Sequence, residues 1–310
     1  MRPCWSEAAE HMSSPAVTEL TPERVLNRLD WHVVRRLDGL LQGDYRTLFY
    51  GAGVDFADLR EYQPGDDARY IDWNVTARMD TPYVRQYLED RELTVWMLLD
   101  RSPSMSFGAE ERTKGQVLTE VVTTLAHLFA RRGNRVGAIL YNNVVERTIP
   151  PLGGRKHVLR LVRDLLRPPP QSKAATDLSG LIQTGVNTIK RRSLVFLVSD
   201  FLSEPGWERP LPLLSRRHDV VAIRLWDPRE VEIPDAGVIV LQDSETGEQI
   251  LVDTSDPRLR QGLAELARAR AERVAASFKR AGVDAFDVST EESLLAALVR
   301  MTGRRKRRGR

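Results

Sequence analysis

The chain has 310 residues, and its 46 Lys and Arg against 43 Asp and Glu give a formal net charge of +3. The single cysteine, Cys4, excludes a disulfide framework within the chain and a cysteine-based zinc site. No apolar run approaches the roughly 20 residues of a membrane span, and residues 1–11 lack the apolar segment of a signal peptide. We therefore expect a cytoplasmic protein without a transmembrane span.

The positive charge is confined to the C-terminus. Residues 303–310 carry six basic side chains and no acidic one, and without them the formal charge is −3. A mildly acidic body is not typical of a nucleic-acid-binding domain, so no specific nucleic-acid partner is predicted. We interpret 301–310 as a basic tail that is disordered and solvated, with contact to an anionic surface as the alternative.

The first elements form an N-terminal unit. Residues 1–20 are polar and lack periodicity, which predicts disorder. A helix is predicted from Thr21 as N-cap, with apolar residues at helical spacing up to Leu41 and an end at Gly43. Residues 44–92 mix aromatic side chains with Asp and Arg, which predicts short strands and turns packed on a neighbouring domain. We assign 21–92 to the helix and this segment together.

From residue 93 onward, strands and helices alternate. Residues 93–99 form a continuous apolar run, which is typical of a strand buried on both faces. Further strands are predicted at 135–141, 144–149, 193–199, 219–225 and 285–288, and helices at 113–132, 156–166, 178–190, 211–217, 257–281 and 291–300, with a less regular insert at 227–255. The alternation predicts an α/β domain over 93–300, a doubly wound and mostly parallel sheet with helices on both faces.

Oxygen-bearing side chains follow three of these elements. In such sheets the functional site lies beyond the carboxyl ends of the strands. The candidates are Asp100, Ser102 and Ser104 after the first strand, Thr176 before a helix, and Asp200 after the strand 193–199. Hydroxyl and carboxylate oxygens suit Mg²⁺, Mn²⁺ or Ca²⁺ rather than zinc or copper. Helix capping is the alternative role for the serines and for Thr176 with Asp177.

This set of five residues resembles the metal-ion-dependent adhesion site of von Willebrand A domains. The resemblance implies that Ser102, Ser104 and Thr176 supply hydroxyl ligands to Mg²⁺, while Asp100 and Asp200 bind directly or through water. It also implies a von Willebrand A-like, Rossmann-like fold over roughly 93–300. With few charged ligands, the metal would keep a position for the carboxylate of a partner.

The segment upstream resembles a second, longer signature. Its motifs are Gly53-Val54-Asp55-Phe56, Leu59-Arg60-Glu61-Tyr62, Pro64-Gly65-Asp66-Asp67-x-Arg69 and Ile71-Asp72-Trp73, followed by Ala77-Arg78. They are similar to the domain-of-unknown-function 58 (DUF58) family, whose members are von Willebrand A-like proteins often found with MoxR-type AAA+ ATPases. The resemblance covers roughly 40–300 and implies a MoxR-type ATPase, or a client protein with an acidic residue, as the partner.

Charged residues of the same segment have two interpretations. They are Arg60, Glu61, Asp66, Asp67, Arg69, Asp72 and Arg78. An ion-pair lattice that locks the segment to the main domain is favoured, and a docking surface for the ATPase is the alternative. A catalytic pair of Asp66 and Asp67 is disfavoured because nothing in the sequence indicates a substrate pocket.

Enzyme motifs are missing from the sequence. It contains no nucleotide-binding Gly-x-x-x-x-Gly-Lys, no Gly-x-Ser-x-Gly and no His-Glu-x-x-His. We therefore predict a non-enzymatic adaptor that presents Mg²⁺, or Mn²⁺ or Ca²⁺, to a carboxylate of its partner in protein remodelling or activation. The alternatives are a metal-dependent phosphate-ester hydrolase and a scaffold whose metal site is unused.

Overall fold

The computed structural model describes residues 21–29, 58–64, 66–79, 81–86, 93–109, 112–170, 175–242 and 248–308. The strands are β1 (Asp58–Glu61), β2 (Tyr83–Gln86), β3 (Thr94–Asp100), β4 (Gly108–Ala109), β5 (Arg112–Thr113), β6 (Arg135–Asn142), β7 (Val144–Leu152), β8 (Leu194–Ser199), β9 (Asp219–Trp226), β10 (Val238–Gln242), β11 (Gln249–Asp253) and β12 (Asp284–Ser289). The helices are α1 (Pro22–Leu29), α2 (Trp73–Met79), α3 (Lys114–Arg131), α4 (Arg155–Leu165), α5 (Leu178–Thr188), α6 (Leu211–Arg217), α7 (Pro257–Ala281) and α8 (Leu294–Arg308).

A six-stranded sheet with the order β12-β9-β8-β3-β6-β7 forms the centre of the protein. Its strands pair in parallel, except for β7 at the edge, which pairs antiparallel with β6. The predicted α/β class with a mostly parallel sheet is confirmed, and β6 and β7 form an antiparallel hairpin. The von Willebrand A-like assignment remains a prediction.

Strand β3 lies in the middle of this sheet and divides its side chains between two hydrophobic cores. Met97 and Leu99 pack with α3, α4 and α8 on one face. Trp96 and Leu98 pack with α5, α6 and α7 on the other face. Burial of each large apolar side chain contributes about 1.5–3 kcal/mol, which explains why residues 95–99 are all apolar rather than alternately apolar and polar.

The N-terminal elements are short. Val25 of α1 is buried in the first core, and the hydroxyl of Thr21 accepts a hydrogen bond from the backbone N–H of Arg24, as an N-cap does. Strands β1 and β2 pair antiparallel, and α2, which was not predicted, lies between them. The predicted disorder of 1–20 and the predicted helix beyond Leu29 lie outside the described residues.

Two predictions about irregular structure are wrong. The insert 227–255 contains the antiparallel hairpin of β10 and β11. The sequence did not indicate this hairpin because apolar side chains on both strands, such as Val240 and Leu251, are strongly exposed. Helix α8 continues to Arg308 instead of ending at Arg300, because Arg and Lys are good helix formers and Gly303 alone does not end the helix. The backbone of most of the predicted tail is therefore helical.

In the part of the chain that the structure describes, none of the helices has the length and hydropathy that crossing a membrane requires.

Gly180 on α5 lies against Tyr141 at the end of β6, and we expect Gly180→Ala to destabilise the protein by about 2 kcal/mol. A Cβ atom at Gly180 would lie 2.2 Å from the Tyr141 Oη and 3.1 Å from its Cζ. Adding Tyr141→Phe removes the closer of these contacts, so the double variant should regain part of the loss in urea unfolding. Gly262→Ala is the control, since nothing lies within 4 Å there and alanine favours a helix. A Gly180→Ala variant as stable as the control would contradict this close packing.

Candidate metal centre

Two of the three predicted loops meet because β3 and β8 are neighbouring parallel strands. Asp100 is the last residue of β3, and Asp200 directly follows β8. The hydroxyl of Ser199 donates a hydrogen bond of 2.6 Å to Oδ2 of Asp100. The carboxyl ends of the two strands therefore bring both aspartates to one edge of the sheet, as predicted.

The loop after β3 is organised around the Asp100 carboxylate. The backbone N–H of Ser102 donates to Asp100 Oδ1 at 2.9 Å, and a short 3-10 turn, Pro103–Ser106, follows. Ser102 makes no side-chain capping bond to this turn, so the capping alternative is wrong for Ser102. Its Oγ instead shares a hydrogen bond of 3.1 Å with the Oγ of Ser104. Adjacent ligand oxygens on octahedral Mg²⁺ are separated by about 2.9 Å, given Mg–O distances of 2.0–2.1 Å.

Thr176 comes from the loop before α5 and is tied to the loop after β8. Its carbonyl accepts hydrogen bonds from Ser203 Oγ at 2.8 Å and from the Glu204 N–H at 2.9 Å. Asp177 is the N-cap of α5 and accepts from the Ser179 N–H at 2.9 Å, which confirms the capping interpretation for Asp177. The five predicted ligands are all buried, each with at most 5% of its surface exposed.

Asp100 is a fully buried carboxylate without a basic partner among the described residues. Its hydrogen bonds come from Ser102 and Ser199, which are neutral. Burial, followed by the negative charge of Asp200, raises the pKa of Asp100 to about 6. The described residues contain no group of three or more His, Cys, Asp and Glu side chains that could hold a metal. The predicted set has only two carboxylates, with three hydroxyls beside them, so it does not belong to the groups of three or more such side chains. Its role as a set of metal ligands remains a prediction.

Lys114, the first residue of α3, is a third charged group at this edge and was missed from the sequence. Its Nζ donates to Asp200 Oδ2 at 2.6 Å and to Glu230 Oε1 at 2.5 Å, and its side chain is 0% exposed. Burial alone would lower the pKa of the Lys114 ammonium, but the two carboxylates outweigh burial and raise it. The other oxygen of Asp200 accepts from the Leu202 N–H at 3.0 Å.

A local signal did point to Lys114. Thr113 and Gln116 form a capping box that starts α3 at Lys114. A cation in the first turn of a helix is disfavoured by the helix dipole, so a buried counterion is the simplest reason for its presence there.

The family described as "Protein of unknown function DUF58" matches residues 58–273 of this chain. The chain belongs to the DUF58 family. It is 37% identical over 284 residues to "Uncharacterized protein Rv1480" of Mycobacterium tuberculosis and equally to "Uncharacterized protein Mb1516" of Mycobacterium bovis, with 91% of this chain and 89% of each relative covered.

Solved structures to which this chain shows similarity include the conserved hypothetical protein BatB from Bacteroides thetaiotaomicron. That structure is 16% identical, has a TM-score of 0.45 and covers 69% of this chain and 99% of its own. An aerotolerance-related membrane protein from Bacteroides fragilis is 13% identical, also with a TM-score of 0.45, and covers 70% of this chain and 99% of its own. The predicted family is confirmed by the sequence match, whereas MoxR association and the adhesion-type metal site remain predictions.

In this DUF58 protein Arg101 lies between Asp100 and Ser102, and its side chain fastens the loop after β3 to β7 and to the end of α4. Its Nη1 donates to Glu146 Oε2 of β7 at 2.6 Å, and its Nη2 donates to the Leu165 and Arg167 carbonyls at the end of α4. Burial raises the pKa of Glu146 and lowers that of Arg101, and each partner's charge offsets part of the effect. Sequence reasoning missed Arg101 because its partners lie far away along the chain.

The charged residues upstream occupy the small sheet and α2. Arg60 and Glu61 lie on β1, and Arg78 is exposed on α2. In the turn between them, Asp66 accepts a hydrogen bond from the Gln63 N–H at 2.8 Å, and Asp67 forms an ion pair with Arg69 at 2.7 Å. Asp72 is buried and accepts a hydrogen bond from the Asn74 N–H at 3.0 Å. The locking lattice and the docking surface both remain predictions.

Proposed function

We propose that this DUF58 protein is a non-enzymatic binding module that holds a divalent cation at the carboxyl edge of its sheet and binds a partner carboxylate through it. The observation that carries this proposal is Asp100, a fully buried carboxylate without a basic partner among the described residues. Next to it are two buried hydroxyl oxygens, of Ser102 and Ser104, at a separation close to that of neighbouring metal ligands. A buried anion is costly unless a cation compensates it.

The donor set favours Mg²⁺, with Mn²⁺ or Ca²⁺ as alternatives. The proposed ligands are the hydroxyls of Ser102, Ser104 and Thr176 and the carboxylates of Asp100 and Asp200, in a von Willebrand A-like domain. Oxygen donors suit these hard cations, and Mg²⁺ usually keeps several waters. Since three of the donors are neutral and Lys114 offsets part of the Asp200 charge, the ion would retain positive charge, and an incoming carboxylate would replace water.

The hydrogen bonds of the Asp200 carboxylate favour a binding function over hydrolysis. Both of its oxygens are engaged, one by Lys114 and one by the Leu202 N–H. A metal-dependent hydrolase needs a general base within reach of the attacking water, and both Asp200 oxygens already accept hydrogen bonds from within the protein. The proposed partner is a MoxR-type AAA+ ATPase or a client protein that presents an Asp or Glu, within the cytoplasm. The charged segment 58–79 is a second candidate contact.

The first test is thermal unfolding with Mg²⁺ and with EDTA. We expect Mg²⁺ at 100 times its dissociation constant to stabilise the wild-type protein by about 2.7 kcal/mol. Ser102→Ala and Ser104→Ala should lose most of this gain, because each removes a proposed ligand. The matched control is Ser106→Ala in the same turn, whose exposed hydroxyl bonds to the Pro103 carbonyl.

A pull-down from the cell lysate then tests the partner. An acidic partner should be recovered with Mg²⁺ and lost with EDTA or with Ser102→Ala. Equal Mg²⁺ effects on the wild type and on Ser102→Ala would refute the metal centre. Recovery of the same partner with and without Mg²⁺ would instead assign the binding to another surface.

A further inference from the structure

The ammonium of Lys114 controls the charge that the proposed cation would meet. Asp100 and Asp200 together carry two negative charges at the edge of the sheet, and of these two carboxylates Lys114 bonds to that of Asp200, at 2.6 Å. Lys114 offsets part of the Asp200 charge, because it also pairs with Glu230, and Asp100 remains as the unpaired anion. A divalent cation in this environment keeps more of its positive charge than it would without Lys114.

We propose that Lys114 is a specificity-determining residue of the metal centre, which weakens cation binding and in return leaves the bound cation positive enough to capture a carboxylate. This inference rests on the proposed function. It assigns Glu230 the opposite effect, because its carboxylate shares the same ammonium at 2.5 Å and reduces its influence. The side chain of Glu230 is 22% exposed, whereas that of Lys114 is 0% exposed. Of these two side chains, Glu230 is therefore the one that solvent can reach.

A purely structural role explains Lys114 less well. Buried ion pairs lose hydration on folding, and replacing them by apolar residues is often neutral or stabilising. The ammonium also lies in the first turn of α3, where the helix dipole opposes a positive charge. The arrangement therefore costs stability at two points, and both costs are understandable if the charge serves the neighbouring site.

The test compares variants that change the local charge in opposite directions. By calorimetry, Lys114→Met should bind Mn²⁺ at least about tenfold more tightly than the wild type, since the attraction of the full Asp200 charge is restored. Glu230→Gln should bind Mn²⁺ about threefold more weakly, because Lys114 then acts undiminished. Glu265→Gln, an exposed charge change on α7, should leave the Mn²⁺ affinity as in the wild type.

Acetate is the probe for carboxylate capture. Water-proton relaxation of the protein-bound Mn²⁺ should fall when acetate displaces a metal-bound water in the wild type and in Glu230→Gln. The same acetate concentration should have little effect on Lys114→Met. If Lys114→Met fails to fold, Glu230→Gln alone gives the sign of the charge effect.

The outcomes separate this inference from the proposed function. Weaker Mn²⁺ binding by Lys114→Met, or tighter binding by Glu230→Gln, would overturn the role of Lys114 while leaving the metal centre intact. Wild-type protein that binds no Mn²⁺ would overturn the proposed function and this inference with it.

Discussion

Replacing Asp100 by asparagine is expected to stabilise the metal-free protein at pH 7.5 and to abolish its response to Mg²⁺. Burial, followed by the charge of Asp200, raises the pKa of Asp100 to about 6, from about 3.9 in an unfolded chain. The ionised carboxylate is therefore disfavoured in the folded state by about 3 kcal/mol at neutral pH. Asparagine removes this cost, and its oxygen can still accept from the Ser102 N–H.

The pH dependence distinguishes this explanation from a general packing effect. Because the folded pKa of Asp100 is raised, the folded state binds more protons than the unfolded state between about pH 4 and pH 6. The contribution of this group to stability is therefore unimpaired below pH 4 and is lost as the pH rises through 6. Asp100→Asn should match the wild type near pH 4 and exceed it by about 2–3 kcal/mol at pH 7.5.

Urea unfolding at several pH values, with Mg²⁺ and with EDTA, measures both effects. With saturating Mg²⁺ the wild type should regain most of the difference, whereas Asp100→Asn should not change. A variant less stable than the wild type at pH 7.5 in EDTA would mean that the Asp100 charge is already compensated within the protein.

Local patterns were sufficient to predict the elements that depend on neighbours in sequence. The apolar run of β3 predicted a strand buried on both faces, and hydrophobic cores do cover it on both sides. Asp177 was interpreted as a cap because a cap is defined by the residues that follow it. The convergence of Asp100 and Asp200 also followed, since parallel neighbouring strands end at one edge.

The parts of the site that were missed depend on contacts between distant residues. Lys114 meets Asp200 and Glu230 across 86 and 116 positions, and Glu230 lies at the start of an insert that the sequence marked only as irregular. Arg101 bonds to Glu146 across 45 positions. No periodicity encodes such pairs, because a charged side chain in sequence looks the same whether it is solvated or buried.

Breaking the ion pair of Arg101 and Glu146 is expected to have the second large effect, a loss in the free energy of unfolding. Arg101→Leu leaves the mostly buried Glu146 carboxylate without its counterion, and one oxygen of that carboxylate, Oε1, already lacks a hydrogen-bond partner among the described residues. Removing one partner of a buried pair costs about 3–5 kcal/mol. We expect about 3 kcal/mol in urea unfolding, the lower end of that range, since the backbone N–H of Arg101 keeps its bond to the Tyr141 carbonyl.

The sign of the pH dependence and a double variant test the cause. Burial raises the pKa of Glu146, and Arg101 lowers it; without Arg101 the pKa rises further, so the deficit of Arg101→Leu should grow as the pH increases. Adding Glu146→Leu removes the unpaired charge and should recover most of the loss. The control, Arg300→Leu, breaks an exposed pair with Glu292 and should cost no more than about 1 kcal/mol. A double variant no more stable than Arg101→Leu would place the contribution of Arg101 in its bonds to the α4 carbonyls rather than in the ion pair.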